Sequence, residues 1–315
     1  MQTINFIHPE DATALETLQK IPVLPSVVRS FLDLGVEQLT TGLNMAMKVR
    51  LSPTQLPELY HILPPICELL DIEEPDFYLE MNPAPNAYAF GDTQTAITIT
   101  SGLVEMLSED ELRGVVAHEC GHIVCHHMLY HTLAYMLANA SGMFESLITL
   151  AAPIHYSLMY WSRKSELSCD RISAFIVGPQ TVASTLARLA GGSKSITSKL
   201  NLAEFAEQAD LYDAFRKSGI WNSVLQTYAV MDQSHPFVSV RLRELLKWTE
   251  TQQYKSLLSS RRICPHCHQA IDEEWRFCQH CGKKIRKPTT TNTKDNECNT
   301  ASVPCPDGFK RFDER

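Results

Sequence analysis

The 315-residue chain has no excess of basic residues: 28 Lys and Arg stand against 36 Asp and Glu, a formal net charge of −8. A surface that neutralises a phosphate backbone needs clustered Lys and Arg, and the one basic stretch lies near the C-terminus, so a nucleic-acid-binding role is disfavoured. A membrane span is also lacking. It requires roughly 18 or more consecutive apolar residues, and the most apolar stretch, residues 133–161, is broken by Asn139, Glu145, Pro153 and His155. The first twenty residues lack the positive start and apolar run of a secretory signal, and the expected compartment is cytoplasmic, with peripheral membrane contact as the alternative. What is present is a chain that is 44% hydrophobic, enough to bury a substantial core.

Ten cysteines would suit a disulfide framework in a secreted protein. Four of them form two C-x-x-C pairs, Cys264/Cys267 and Cys278/Cys281, which in a reducing compartment read as thiolate metal ligands. The other six, Cys67 and Cys169 among them, read as free thiols.

Composition divides the chain. Up to about residue 80, helix-period apolar positions (Leu15, Leu18, Val27, Val28, Phe31, Leu32) are broken by prolines at 22, 25, 53, 57, 64 and 65, which predicts a platform of short helices over 1–75. Three β-branched or aromatic runs follow, FYLEMN, NAYAFG and TAITIT, between Phe77 and Thr100; they predict a small antiparallel sheet. Ser108 with Glu109, Asp110 and Glu111 is an N-cap with an acidic first turn, opening an apolar-periodic helix. Residues 133–161 read as a buried helical hairpin, the alternatives being a surface that touches membrane or a partner, or a lid over a cleft. Val182 to Tyr254 is helical in pattern. The expected organisation is an α+β, mainly helical domain over 1–258, a cysteine module over 259–286 and a polar, disordered tail over 287–315.

The chemistry-bearing motif is His118-Glu119-Cys120-Gly121-His122. Four residues apart on a helix, His118 and His122 project from one face and can bind one metal ion. Glu119 beside them can take the proton of a zinc-activated water and pass it to a leaving amine. By itself the motif would turn up in about one chain in a hundred of this length, and paired histidines on a half-buried helix are an alternative reading. The helix is apolar on its other faces, however, and unligated imidazoles there would be expensive to desolvate. A third ligand is available in SRKSELSCDR, where Glu166 and Asp170 also lie four apart. Glu166 completes a two-His, one-Glu site open to water, while Asp170 can fix the tautomer of a ligand imidazole; Arg163 and Lys164 leave open an ordinary charged surface helix.

NAYAFG (86–91), TITSGLVEMLSEDELRGVVAHECGHI (98–123), SRKSELSCD (162–170) and SHPFVSVR (234–241) occur in this order, and together they resemble the HtpX-like and CAAX-prenyl-protease family of gluzincin zinc metallopeptidases over roughly residues 50 to 250. The resemblance implies a gluzincin fold, with an HExxH helix, a second helix carrying E-x-x-x-D and an edge strand above the cleft. It implies that Asn86, Ala87, Tyr88 and Ala89 belong to that strand and pair with an extended peptide. His235 then matches a histidine near the metal that donates to the oxyanion, and Arg241 a residue that orients nearby carboxylates. The hydrophobic spans of membrane-bound members have only the interrupted 133–161 stretch in their place, which favours a soluble or peripheral member. His126 and His127 read as hydrogen-bonding residues, three ligands being already assigned.

The two C-x-x-C knuckles, ten residues apart, predict a zinc ribbon in which Cys264, Cys267, Cys278 and Cys281 close a tetrahedron around one structural Zn2+. Its basic and aromatic residues offer a surface to a partner, with protein, nucleic acid and the chain's own protease domain as the alternatives. The expected function is a zinc-dependent endopeptidase acting on polypeptide, in protein quality control, with one catalytic and one structural Zn2+; the alternative is a zinc-stabilised adaptor binding a partner through the ribbon.

Overall fold

Prolines and caps set where the first helices begin. Pro9 occupies the first position of α1 (Pro9–Gln19), whose N-cap His8 accepts the Glu10 N–H at Nδ1. Helices α2 (Leu24–Asp33), α3 (Val36–Met47), α4 (Pro57–Tyr60) and α5 (Pro64–Leu70) complete the helical platform, and a short strand β1 (Val49–Arg50), absent from the sequence reading, interrupts it. The computed structural model describes residues 3–33, 35–139, 145–219 and 237–259, with 277 and 282–284.

The three runs between 76 and 100 are strands β2 (Asp76–Glu80), β3 (Ala87–Phe90) and β4 (Ala96–Thr100), in the order β1-β2-β4-β3. The sheet is mixed where an antiparallel one was expected: β4 runs antiparallel to β3 but parallel to β2, Phe77 facing Ile97. The reason is topological. β3 leaves a place beside β2, and β4 fills it on the return, so the β-branched run AITIT, buried at all five positions, takes the centre. β3 is left at the edge, as the resemblance implies.

Helices α6 (Ser101–Met106), α7 (Glu109–Val124), α8 (Met128–Asn139), α9 (Glu145–Val177), α10 (Pro179–Gly191), α11 (Lys194–Thr197), α12 (Leu202–Lys217), α13 (Val238–Thr249) and α14 (Gln252–Ser259) follow. The main core joins the sheet to α7, α9, α10 and α13 through Phe77, Ile97, Val116, Ile172, Phe175 and Leu242. A second core lies between α1, α2, α8 and α9, where Leu18, Val28, Leu133, Leu158 and Trp161 are buried together. Within the 133–161 stretch, residues 140–144 and the side chains of 135, 136 and 138–153 lie outside the description. Among the described residues no helix is long and apolar enough to cross a membrane.

The chain divides into two units, Met1–Leu258 and Ser259–Arg315. In the second, Phe277 and Lys284 form an antiparallel bridge and Gly282 takes φ 70°, a tight turn that a left-handed glycine permits. Cys264, Cys267, Cys278 and Cys281 lie outside the described residues. Among those described, Cys67, Cys120, Cys125 and Cys169 are buried free thiols, as expected.

Candidate metal centre

Two helices build the site. α7 starts with a reciprocal capping box, in which Ser108 Oγ accepts the Glu111 N–H and Glu111 Oε2 accepts the Ser108 N–H. It carries His118, Glu119 and His122, which are 6%, 3% and 3% exposed. α9 crosses it and brings Glu166, fully buried, and Asp170 one turn later. Gly121 marks the close approach: a Cβ built there would stand 3.2 Å from Cys169 Cα, so a larger residue would push α9 and its carboxylates away.

Glu166 reaches both imidazoles. Its Oε2 lies 3.2 Å from His118 Nε2, and its Oε1 lies 3.4 Å from His122 Nε2. Donors bound tetrahedrally to zinc at about 2.0–2.1 Å sit about 3.3–3.4 Å from each other, so these separations fit one shared ion. The tautomer fits too. His118 Nδ1–H donates to Asp170 Oδ1 at 3.0 Å, so Nε2, which faces Glu166, is the nitrogen open to an ion once its own proton has left. Arg241, from α13, holds Asp170 in a fork, Nε to Oδ2 at 2.8 Å and Nη2 to Oδ1 at 2.6 Å, and its Nη1 lies 3.1 Å from Glu166 Oε2.

The electrostatics favour a cation. Burial alone would lower the His118 pKa, but the Glu166 charge and the hydrogen bonds to Asp170 and Glu166 push it up to about 10. Burial keeps His122 below the ordinary histidine value despite Glu166. Against its own burial, Asp170 is held below the usual carboxylate range by Arg241. Cys169 Sγ also approaches His118 and His122. Its thiol is pushed well up by burial and then by Cys125 and Glu166, which makes it a poorer ligand than the Glu166 carboxylate.

A cleft of about 230 Å³ opens over the site. Asn86 and Ala87 line one side, His118, Glu119, Asp170 and Arg241 the other, with Val115, Leu186 and Leu189 supplying apolar walls. Tyr88 is turned elsewhere: its hydroxyl meets Glu80 Oε2 at 2.6 Å and Lys48 Nζ at 2.7 Å, and neither it nor Ala89 lines the cleft. Of the residues singled out in the sequence, His118, Glu119, His122, Glu166, Asp170, Arg241, Asn86 and Ala87 come together. His235 lies outside the described residues. One residue was missed. Asp11, on α1, is buried beside the site with His127, just past α7; His127 makes hydrogen bonds as the sequence reading has it, but nothing local to Asp11 announces it.

A family model described as peptidase family M48 matches residues 55–249, and one described as a zinc-ribbon domain matches residues 263–285. The plastoglobule-localized metallopeptidase 48, chloroplastic, of Arabidopsis thaliana is 35% identical over 261 residues, 81% of this chain and 75% of the relative. Protease HtpX homologs of Campylobacter concisus and Moorella thermoacetica are each 27% identical, over 59% and 62% of this chain and 73% of each relative. No solved structure matches the chain.

Proposed function

The chain belongs to peptidase family M48, and we propose that it is a zinc-dependent endopeptidase in which His118, His122 and Glu166 hold the metal and Glu119 is the general base. The observation that carries this reading is a fully buried carboxylate, Glu166, whose two oxygens lie 3.2 and 3.4 Å from the Nε2 atoms of His118 and His122.

Zinc there would supply Lewis acidity, lowering the pKa of a water toward neutrality and polarising the scissile carbonyl. The chain's own residues do the rest. Glu119, in the cleft wall, takes a proton from the attacking water and returns it to the leaving amine. Asp170 and Arg241 keep His118 in the ligating tautomer. β3 is the terminal strand of its sheet, so an extended substrate can add beside Asn86 and Ala87 and run past Glu119. His235 is assigned the oxyanion, on the resemblance alone. Cys264, Cys267, Cys278 and Cys281 hold a second, structural zinc in the ribbon, whose surface suits a protein partner. Turnover of misfolded polypeptide is the substrate class we infer.

The test is cleavage of an unfolded polypeptide by purified protein with its zinc counted. Two zinc ions per chain, chelator-sensitive cleavage, and a loss of about 10²–10⁴-fold in Glu119→Gln with zinc retained are expected. Unchanged cleavage in Glu119→Gln with zinc retained would remove Glu119 from its role; a zinc-loaded protein that cleaves nothing, and whose biological action survives Glu119→Gln, would favour the adaptor reading.

A further inference from the structure

A buried chain of hydrogen bonds leaves the second histidine and ends in the N-terminal helix. It starts at the turn that closes α7. His126 adopts φ 55°, the His127 N–H donates to His122 O at 2.9 Å, and the His126 N–H donates to Ile123 O at 3.1 Å. This is a Schellman motif with histidine where glycine is usual. The reversal folds His127 back on α7, and its Nδ1 comes to 3.2 Å from His122 Nδ1. Its other nitrogen, Nε2, lies 3.3 Å from Asp11 Oδ2. Asp11 is 1% exposed, as is His127, and also accepts the Trp161 Nε1–H at 3.0 Å and the Ser168 hydroxyl.

One proton arrangement satisfies this chain when an ion is bound. An ionised carboxylate only accepts, so His127 gives its Nε2–H to Asp11. Two ring nitrogens 3.2 Å apart share one proton. Were it on His127 Nδ1, His122 would carry its hydrogen on Nε2 and could not ligate; placed on His122 Nδ1, it leaves the Nε2 lone pair facing Glu166. The two nitrogens of His127 are thereby engaged. A second ion among His122, His127 and His131, whose ring donors also converge, would compete for the nitrogens that join His122 to His127.

We propose that Asp11 and His127 are positioning residues of the metal centre, fixing His122 in the tautomer and orientation that present Nε2, as Asp170 does for His118. The proposal rests on the reading of His118, His122 and Glu166 as ligands. It makes the N-terminal helix part of the support of the site, although Asp11 precedes the stretch, 55–249, that the peptidase family model matches. α1 is fixed along α9 for this purpose: Lys164 pairs with Glu10, Ser168 Oγ accepts the His8 N–H at 2.9 Å, and Arg171 donates to Ile7 O at 3.1 Å. Those residues recur at one-turn intervals on α9, leaving Glu166 and Asp170 to face α7.

The experiment uses the full zinc-loaded chain. Zinc affinity is measured by competition with a chromophoric chelator, and His118→Ala identifies the binding step that belongs to this site. Asp11→Asn is expected to weaken that step about 10–100-fold, and Glu16→Gln, an exposed change on the same helix whose partner is Lys20, to change it by no more than about twofold. In the wild-type protein, 15N–1H correlation spectra of labelled histidine should show His127 protonated at Nε2 and bare at Nδ1. A folded Asp11→Asn variant with wild-type affinity, an equal loss in Glu16→Gln, or a proton on His127 Nδ1 would overturn the proposal; the wild-type spectrum decides even if Asp11→Asn does not fold. Should His118→Ala leave all zinc binding intact, the fault lies with the ligand assignment and not with the relay.

Discussion

His118 and His122 sit one turn apart on the same helix, yet their supports are built differently. His118 leans directly on Asp170, which shares α9 with Glu166 and is clamped by Arg241. His122 leans on His127 and, through it, on Asp11 from α1. The first support is short, charged and doubly bonded; the second passes through a further imidazole and a left-handed turn. The difference teaches where a site is vulnerable. Removing a group from the His118 side leaves buried charge uncompensated, whereas a change on the His122 side acts mainly on geometry.

Four substitutions press on this contrast. The largest effect is expected from Arg241→Met, which strands Asp170 and Glu166 without their counter-charge; urea denaturation of the metal-free protein should show a loss of about 3–5 kcal/mol, of which zinc restores part. A loss that zinc does not reduce would mean that the carboxylates are not facing the ion. Gly121→Ala acts on both supports by wedging α9 away from α7. We expect about 1–3 kcal/mol of destabilisation and a fall in kcat/KM of about 10–100-fold, read by peptide cleavage; unchanged kinetics would show that the helix spacing has slack.

The third prediction concerns acid. Glu244, on α13, lies close to His8 at the start of α1 and bonds Lys247 and Arg243 as well. His8, 3.8 Å away, and then the hydrogen bonds with Lys247 and Arg243 outweigh burial and hold its pKa down to about 2 from 4.5. A carboxylate lowered on folding stabilises fully above its unfolded value, and that contribution is lost as pH falls from about 4.5 to 2. Glu244→Gln should therefore flatten the acid limb of the stability curve in that window while leaving activity at neutral pH intact. The smallest effect is His126→Gly, which relieves a left-handed backbone at an exposed position; a gain of about 1 kcal/mol in thermal denaturation is expected, with zinc affinity unchanged.

How much of the site could be read in advance follows the same contrast. His118, Glu119, His122, Glu166 and Asp170 were legible because helical spacing puts residues four apart on one face, and that periodicity survives into the fold. The helix start at Ser108 was legible from its capping box. The strands could be located by their β-branched texture, but not their order, since the placing of β4 between β2 and β3 depends on which run fills the buried centre. Asp11 carried no signal: in sequence it is an acidic residue in the first turn of a helix, where acids are common anyway.

The sequence by itself determined the kind of chemistry available to this protein, because the nitrogen and oxygen donors of a metal site, and the period that aligns them on each helix, are written in neighbouring residues. Tertiary structure alone decided which carboxylate stands behind each imidazole and that an edge strand shares the cleft with Glu119. Those are relations between elements far apart in the chain, and they are set by how helices and strands pack, which no local spacing encodes.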